Sequence, residues 1–412
     1  MKKQDYKIHI IGAGISGLIA ATVLEKNGLS PVIIESTDRV GGRVKTDIVE
    51  GYQLDHGFQV LLTAYPAAQK YLNLEALQLQ TFIPGASIFK NGKQNSIGDP
   101  LRDKSLLLST VFARVGTLSD KFKILKLNIK LKKKSLSEIF SSKEQTTKTY
   151  LIDFGFSSKM INDFFNPFFS GIFLENKLET SSRMFEFVYK MFGEGDAALP
   201  KGGMQAIPKQ LSNNLKRTTF KFNTKVATVN DSEITLEDGQ KIKSDFTIIA
   251  TEPTKLVNKL NKKVIDWQSC DTLYFETESR VINKPLIGLI PEKNSVINNI
   301  FYHTSLESDL KGNKELLSVT VVDNQNLSSD KLIQRVQSEL KQYCGIDVIK
   351  LIKHYKIPVS LPKLQNLQYN LLPSQTCLTD TIFLAGDVQL NGSLNAAMIA
   401  GEKAALGVLD NL

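Results

Sequence analysis

The fold is decided by Tyr6-Lys7-Ile8-His9-Ile10-Ile11-Gly12-Ala13-Gly14-Ile15-Ser16-Gly17, in which an apolar run leads into three spaced glycines. The β-branched run predicts a buried parallel strand. Gly12 permits a tight turn, Gly14 lets the backbone approach a phosphate, and Gly17 lets the next helix pack closely on the sheet. That helix, from Ile15 to about Asn27, points its first amides, including that of Ser16, at the phosphates. The stretch therefore predicts a dinucleotide-binding βαβ unit.

An acid follows at the position where such a unit contacts ribose. The second strand, Pro31-Val32-Ile33-Ile34-Glu35, ends in Glu35. A carboxylate there accepts hydrogen bonds from the ribose diol and repels a 2′-phosphate, so NADP is disfavoured. The alternative is a glycine-rich turn that binds no ligand.

The next segment, Asp38-Arg39-Val40-Gly41-Gly42-Arg43, separates two kinds of dinucleotide site. In an NAD-binding dehydrogenase, which is one alternative, the chain would continue into a plain crossover. The adjacent Gly41 and Gly42 instead suit a backbone that lies against an extended ligand, and Arg39 and Arg43 bring guanidinium groups near its phosphates.

More motifs follow along the chain at Asp55-His56-Gly57-Phe58-Gln59, Pro200-Lys201-Gly202-Gly203-Met204, Thr247-Ile248-Ile249-Ala250-Thr251 and Gly386-Asp387. In this order they resemble the flavin-containing amine oxidoreductase superfamily, which includes monoamine oxidases, protoporphyrinogen oxidases and phytoene desaturases. The resemblance implies an FAD cofactor, held non-covalently because no cysteine lies in a flavin-linking motif. The residues expected to bind it are Gly12, Gly14, Ser16, Gly17, Glu35, Arg39, Gly41, Gly42, Arg43, Gly57, Phe58, Val226, Gly386, Asp387, Ser393, Leu394 and Asn395.

The C-terminal part of this set has a physical interpretation of its own. Asp387, at the end of the apolar strand Thr381–Ala385, is placed to hydrogen-bond ribityl or ribose hydroxyls. A helix that begins near Ser393 points its amides at whatever lies above it. If that is the pyrimidine edge of flavin, the helix end stabilises negative charge on the reduced ring.

These motifs predict an α/β fold in which a Rossmann-like FAD-binding domain of glutathione-reductase type is joined to a second, α+β substrate domain. With 412 residues, two domains are expected. We assign residues 1–85, 200–255 and 375–412 to a discontinuous FAD-binding domain, and residues 86–199 and 256–374 to the substrate domain.

Composition limits the other possibilities. Hydrophobic residues make up 42% of the chain and charged residues 23%, as in an ordinary folded protein. Three scattered cysteines without a CxxC pair indicate a reducing compartment, and they argue against disulfides and a bound metal. Neither a cleaved leader nor a membrane-spanning run is expected. The protein should be cytoplasmic, with peripheral attachment to a membrane left open.

The net charge of +9 is concentrated between Lys121 and Lys134, where seven lysines occur without an acid. This segment fits a solvated helix packed on the second domain, which is the interpretation we prefer. It also fits an amphipathic helix on an anionic membrane, although two lysines interrupt the apolar sector. Nucleic acid is not an expected partner, because the run contains no recognised binding motif.

Flavin would supply the redox chemistry: a substrate loses a hydride, and oxygen or a quinone then accepts the electrons. Ten phenylalanines between Leu151 and Phe192 favour a hydrophobic substrate, such as a polyene or a tetrapyrrole-like ring. The alternatives are an amine oxidase and a flavin-binding protein without turnover.

His56 is a candidate base, or a residue that merely holds its turn. No other catalytic residue is assigned.

Overall fold

A parallel five-stranded sheet carries the predicted dinucleotide motifs. The structure is a computed structural model that describes residues 6–98, 115–257, 260 and 265–412. The sheet contains, in spatial order, β10 (Thr219–Lys221), β2 (Val32–Ile34), β1 (Ile8–Ile11), β14 (Phe246–Ile249) and β20 (Ile382–Leu384). Every neighbouring pair in it is parallel. All four residues of β1 are buried, as the continuous apolar run predicts.

Two helices that are distant in sequence pack together beside this sheet. They are α1 (Ile15–Lys26) and α11 (Leu394–Asp410). Gly401 lies at the crossing, where a Cβ would come 2.2 Å from the carbonyl oxygen of Ser16. The small residues of α11 therefore allow the contact between the two ends of the chain, as the alanine-rich sequence of this helix indicates.

A mixed seven-stranded sheet forms the second large element. In spatial order it contains β19 (Val348–Pro362), β15 (Trp267–Thr277), β18 (Glu315–Val321), β17 (Asn299–Tyr302), β16 (Ile287–Leu289), β7 (Gly85–Lys90) and β8 (Lys93–Gly98). The pair β7–β16 is parallel, and the other pairs are antiparallel. Helix α10 (Ser329–Glu339) covers one face through Leu332 and Val336.

A helical region lies between β8 and the return of the chain to the parallel sheet. Its helices are α3 (Leu118–Lys133), α4 (Leu136–Ser141), α5 (Thr147–Asp153), α6 (Ser158–Met160), α7 (Asn166–Phe173) and α8 (Ser182–Glu194), with a π-helical turn at Ile161–Phe165. The fully buried rings of Phe169 and Phe185 lie 4.7 Å apart at its centre. Much of the phenylalanine-rich sequence therefore serves as core.

The remaining elements are short. They comprise the helices α2 (Pro66–Tyr71) and α9 (Ala206–Asn213), the hairpin β3 (Thr46–Val49) with β4 (Tyr52–Asp55), the strands β5 (Leu61–Leu62), β6 (Gln80–Thr81) and β9 (Ala197–Leu199), and the antiparallel set β11 (Val226–Asn230), β12 (Glu233–Leu236) and β13 (Lys241–Lys243). Single 3-10 turns occur at Pro253–Lys255, His303–Ser305, Pro373–Thr376 and Asp387–Gln389, and a second π-helical turn at Leu340–Cys344.

The chain passes from one sheet to another between β10 and β11. Asn223 lies between them with φ of 51°, a left-handed conformation that ends an extended run and that asparagine tolerates better than most residues. β10 therefore joins the parallel sheet, and Val226 begins a separate antiparallel one.

Among residues 6–98, 115–257, 260 and 265–412, no helix combines the length and the apolar composition that crossing a bilayer requires.

Candidate active site

One large cavity passes along the carboxyl ends of the parallel strands. Its volume is about 2490 Å³. Ile11, Glu35 and Thr251 line it where β1, β2 and β14 end, and Gly386 and Asp387 line it after β20. Ligands of open parallel sheets bind at this edge, so the cavity lies where the nucleotide motifs predict a cofactor.

The turn between β1 and α1 forms the floor at one end. Gly12 has φ of 103°, and its amide donates to the carbonyl of Ile34 at 2.8 Å. Gly17 faces away from the cavity, where a Cβ would lie 2.0 Å from the carbonyl oxygen of Gly12. Gly14 differs, because a Cβ there would meet only the Cα of Gly42, at 4.0 Å. The space that a side chain at Gly14 would occupy therefore belongs to the cavity and is not filled by protein atoms.

Glu35 is buried beside this turn and is held by the backbone. One carboxylate oxygen accepts from the amide of Ala13 at 2.8 Å, and the other accepts from the amide of Thr37 at 2.8 Å. These contacts fix the orientation of the carboxylate at the cavity wall. The hydroxyls of Ser36 and Thr37 also donate to the oxygen that the Thr37 amide contacts, at 3.3 and 2.8 Å. The oxygen that faces Ala13 accepts one bond and therefore keeps a lone pair for a diol.

The double-glycine segment lies directly against the β1–α1 turn. The amide of Gly41 donates to the carbonyl of Ala13 at 2.9 Å, and Gly14 and Gly41 form an isolated parallel bridge. Gly42 has φ of 61°, and a Cβ on it would approach the Cα of Gly14 to 3.2 Å. The two glycine-rich segments therefore form one strip of backbone that lines the cavity.

The two arginines that flank this strip have different positions. Arg43 lines the cavity; its guanidinium lies 2.5 Å from the carboxylate of Asp387 and donates to the carbonyl of Ser360 at 2.9 Å. The same group lies 5.3 Å from the centre of the Trp267 ring. Arg39 does not line the cavity and instead contacts Asp47 at 2.5 Å.

The start of α11 provides a second helix N-terminus at the cavity. Ser393 caps it by accepting from the amide of Ala396 at 3.0 Å. Ser393 and Leu394 line the cavity, whereas the side chain of Asn395 turns away and accepts from the amide of Ala67 at 3.0 Å. Ser16, in α1, donates to the carbonyl of Ala397 at 2.7 Å. Both helix starts are thus tied together beside the cavity.

A histidine–carboxylate pair lies near the middle of the cavity. His56 lines it, and its Nε2 lies 2.7 Å from Asp47. Tyr355 donates to the same carboxylate oxygen at 2.8 Å, and its ring lies 4.5 Å from that of His56. Burial acts to raise the pKa of Asp47, but hydrogen bonds from Arg39, His56 and Tyr355 outweigh it and hold the pKa well below its usual range.

Aromatic side chains line part of the cavity. Phe58 and Phe82 lie 6.0 Å apart, edge to face. Phe164 stacks on Phe168 at 5.6 Å, and Phe168 lies 5.6 Å from Phe192. The π-helical turn and α7 place Phe164 and Phe168 one helical turn apart on the same side. This compartment suits a large apolar ligand.

The expected cofactor residues separate into two groups. Those that line the cavity are Gly12, Gly14, Ser16, Glu35, Gly41, Gly42, Arg43, Gly57, Phe58, Val226, Gly386, Asp387, Ser393 and Leu394. Gly17, Arg39 and Asn395 lie outside the lining and support it through packing or hydrogen bonds.

Several residues of this site carry no signal that sequence motifs detect. Asp47, Trp267 and Tyr355 come from β3, β15 and β19, and none lies in a recognised motif. β15 pairs with β19 in the seven-stranded sheet, whereas β3 pairs with β4 in a separate sheet, so Asp47 and Tyr355 meet through side-chain contact between two sheets. The aromatic and acidic residues in these strands were visible, but nothing in the sequence indicated that they meet.

Comparison with known proteins agrees with this geometry. The profile of the flavin containing amine oxidoreductases matches residues 15–409. The chain belongs to this family.

Individual relatives differ in activity. The chain is 29% identical over 272 residues to the L-amino-acid oxidase of Protobothrops flavoviridis, which covers 61% of this chain and 53% of the relative. It is 26% identical over 165 residues to protoporphyrinogen oxidase 2, chloroplastic/mitochondrial, of Arabidopsis thaliana, covering 40% of this chain and 32% of that protein. The chain thus spans about half the length, or less, of these curated relatives.

The fold is shared more widely than the sequence. Cyclohexylamine oxidase from Brevibacterium oxydans IH-35A superposes with a TM-score of 0.71 at 15% identity, over 98% of this chain and 99% of the other. At this identity the likeness concerns the fold alone.

The residues present fit FAD, the cofactor of this family. The exposed backbone strip at Gly14 and Gly42 leaves space that a Cβ would occupy, as close approach by a pyrophosphate requires. Glu35 is held with acceptor capacity toward the cavity. The N-termini of α1 and α11 both open onto it. Cys270 also lines the cavity, but burial raises the pKa of its thiol, which disfavours a nucleophilic thiolate and agrees with non-covalent binding.

Proposed function

We propose that this protein is an FAD-dependent oxidoreductase that removes hydride from a hydrophobic organic substrate. One observation carries the proposal: a single cavity joins the glycine turn after β1 to a compartment walled by Phe58, Phe82, Phe164 and Phe168. A cofactor that begins at the glycine turn and a substrate beside the aromatic side chains would therefore share one continuous space.

FAD, when bound, supplies the hydride acceptor. The protein's own residues bind, orient and exclude water. Glu35 would accept hydrogen bonds from ribose hydroxyls, and the amides at the start of α1 would hold the phosphates. The N-terminus of α11 offers its positive end where negative charge develops. The aromatic walls hold the substrate and keep water out.

The proposed division of the chain into two domains follows from this arrangement. We infer that residues 1–85, 200–255 and 375–412 form the FAD-binding domain, of glutathione-reductase type, around the parallel sheet. Residues 86–199 and 256–374 form the substrate domain around the mixed sheet and the helical region. The cavity residues from both parts support this division.

Within this function, the substrate is a polyene or a tetrapyrrole-like ring. Phe58, Phe82, Phe164 and Phe168 all line the cavity, and flat conjugated molecules pack well on aromatic faces. His56 offers an imidazole oriented by Asp47 that can take the proton a desaturation releases. Oxygen or a quinone is the proposed electron acceptor.

An amine oxidase is the second candidate. The relatives include an L-amino-acid oxidase, and the cavity also contains carboxylates, among them Glu144, Glu175 and Asp323. A carboxylate that faces the substrate would attract an ammonium group.

The test is an anaerobic reduction screen on the FAD-loaded protein. Porphyrinogens and polyenes are compared with primary amines and amino acids, and flavin absorbance is recorded. We expect the conjugated donors to reduce flavin faster than the amines. Phe164→Ala and Phe168→Ala should lower that rate about tenfold or more by enlarging the compartment, whereas Phe222→Ala, outside the cavity, should not. Reduction by amines with peroxide release would favour the second candidate, and no reduction by any donor would refute both.

A further inference from the structure

Helix α3 has two apolar faces on opposite sides. Leu127 and Leu131 face the protein and are 0% and 1% exposed. Leu118, Phe122, Leu125 and Ile129 face solvent, with exposed fractions of 72%, 73%, 45% and 51%. Their spacing of four, three and four residues places them on one side of the helix. We call these four residues the outer stripe.

The outer stripe is unusual among the described residues. Phe122 and Leu118 are the two most exposed large hydrophobic side chains recorded for them. Contiguous exposed apolar surface on a helix normally marks a binding surface, whereas single exposed residues need no explanation. The sequence of this segment predicts one apolar sector interrupted by lysines. In the structure, the apolar residues of α3 instead divide into a buried face and an exposed face.

Lysines border the outer stripe on both sides. At about 100° per residue, Lys132 lies along one edge, and Lys126 and Lys133 lie along the other; all three are exposed. The one acid of the helix, Asp120, is buried and accepts from the amide of Ser157 at 2.8 Å. The exposed side of α3 therefore combines apolar and positive groups, without a carboxylate of its own.

The same helix forms part of the cavity wall. Ile124, Leu125 and Asn128 line the cavity. Asn128 accepts from the hydroxyl of Tyr189, another lining residue, at 2.8 Å. Leu125 belongs to both surfaces, so the aromatic compartment and the outer stripe meet at this residue.

We propose that α3 docks in the interface of an anionic membrane. The outer stripe enters the acyl boundary, and Lys126, Lys132 and Lys133 contact acidic headgroups. Docking in this way brings the Leu125 edge of the cavity to the lipid, so that an apolar substrate enters without crossing water. Docking depends on α3 alone, whereas substrate entry rests on the proposed function.

The charge distribution favours lipid over a second copy of the chain. Two outer stripes packed face to face would bring lysine rows on both sides into mutual contact, and like charges at an interface oppose association. An anionic surface instead satisfies the apolar stripe and its lysines together.

Vesicle co-sedimentation of the FAD-loaded protein tests docking. We expect binding to phosphatidylcholine vesicles that contain phosphatidylglycerol, weaker binding to pure phosphatidylcholine, and loss of binding at high salt. Phe122→Ser with Ile129→Ser should reduce the affinity about tenfold or more. Lys132→Glu with Lys133→Glu should also reduce it and weaken the salt dependence.

Matched controls use equally exposed residues elsewhere. Ile48→Ser with Leu372→Ser removes two apolar side chains that are 60% and 65% exposed, and Lys209→Glu with Lys331→Glu reverses two exposed charges. Both should bind like the unchanged protein. We call Phe122→Ser with Ile129→Ser the stripe variant. Absent binding, equal affinity for neutral vesicles, or full binding by the stripe variant would overturn the proposal. The proposal would also be overturned if sedimentation velocity showed that the unchanged protein is a dimer and the stripe variant a monomer.

Substrate entry has a separate readout. With a polyene donor embedded in vesicles, flavin reduction should be faster on anionic than on neutral vesicles, and the stripe variant should lose this advantage. In detergent solution the variant and the unchanged protein should react alike. If the protein binds vesicles but no donor reduces its flavin, the proposed function fails and docking stands; if donors react in detergent but vesicles are not bound, the reverse holds.

Discussion

Arg43 and Asp387 lie 344 residues apart in the chain, yet their side chains meet at 2.5 Å in the cavity wall. The first belongs to the segment after the ribose-binding acid and the second follows the last parallel strand. The side chain of Asp387 is 6% exposed and that of Arg43 is 40% exposed. The pair therefore fastens the two nucleotide motifs together while leaving the guanidinium open to a ligand.

Replacing Arg43 should weaken FAD binding specifically. Arg43→Ala removes a charged donor that faces the cavity, and such hydrogen bonds are worth about 1.5–3 kcal/mol, or roughly ten- to a hundredfold in affinity. The FAD dissociation constant, measured by fluorescence quenching of the apoprotein, checks this. Arg43→Lys should recover part of the loss because it keeps the charge without the planar fork.

The matched control is Arg217→Ala, which removes an exposed arginine outside the cavity. It should leave the dissociation constant unchanged. An Arg43→Ala protein that folds and binds FAD with full affinity would contradict the assignment of this residue to the cofactor.

Gly14 and Gly17 should respond differently to alanine. A Cβ on Gly14 meets only the Cα of Gly42 at 4.0 Å, and φ of −71° suits any residue. Gly14→Ala should keep the free energy of unfolding of the apoprotein within about 1 kcal/mol, yet lower FAD affinity about a hundredfold by blocking the pyrophosphate. Gly17→Ala places a Cβ 2.0 Å from the carbonyl oxygen of Gly12, so it should destabilise the apoprotein by about 1–3 kcal/mol.

Chemical denaturation of both apoproteins, followed by FAD titration, separates these effects. The two variants act as controls for each other, since they make the same substitution in one turn. Unimpaired FAD binding by Gly14→Ala would show that the backbone there does not approach the cofactor.

The parallel sheet was predictable because its determinants are local. The run from Ile8 to Ile11, the glycine turn and Glu35 each act within a few residues, and β1, α1 and β2 form where they predict. The chain beyond them is governed by tertiary context. β10 ends at Lys221 because Asn223 turns the backbone, and periodicity does not report such a turn.

The candidate site shows the same contrast. Arg39 and Arg43 are equivalent in sequence, each flanking the glycine pair, and both were expected at the phosphates. Only Arg43 reaches the cavity, because Asp47, on β3, holds Arg39. Asp47 on β3 and Tyr355 on β19 belong to different sheets and meet through tertiary packing, which no motif records. Sequence thus predicts which residues a turn presents, and tertiary structure decides which of them face the ligand.

The stability of the protein should depend on Asp55 in a defined pH window. Burial raises the pKa of Asp55 to about 6, although Thr46 and Met204 donate hydrogen bonds to it. Because the folded state keeps the proton that the unfolded state loses near its ordinary pKa of 3.8, stability from this group falls as pH rises from about 4 to about 6. A pKa raised from 3.8 to about 6 corresponds to about 3 kcal/mol.

Asp55→Asn tests this dependence. Thr46 and Met204 both donate to the same carboxylate oxygen, which the amide oxygen of asparagine can replace. Relative to the unchanged protein, the free energy of unfolding of Asp55→Asn should therefore rise steadily between pH 4 and pH 6 and level off above. Urea denaturation at several pH values measures the difference, which cancels contributions from other titrating groups. A difference that stays constant across the window would show that Asp55 is not held protonated.

His56 is expected to act in proton transfer during substrate oxidation. It lines the cavity, and its Nε2 lies 2.7 Å from Asp47 rather than hydrogen-bonded to the backbone of its own turn. His56→Ala should leave FAD bound but slow flavin reduction by the true substrate about ten- to a thousandfold, as the loss of a general base does. Anaerobic stopped-flow reduction measures this rate directly.

The neighbours of His56 distinguish a chemical role from a structural one. Asp47 is a positioning residue, since it reaches the substrate only through His56. Asp47→Asn should slow flavin reduction less than His56→Ala does, because the imidazole keeps a hydrogen-bonding partner but loses a charged one. Tyr355→Phe removes one hydrogen bond to Asp47 but keeps the ring 4.5 Å from His56, so its effect should be smaller. If His56→Ala reduces flavin at the normal rate, the histidine only supports its turn, and the proton leaves the substrate by another route.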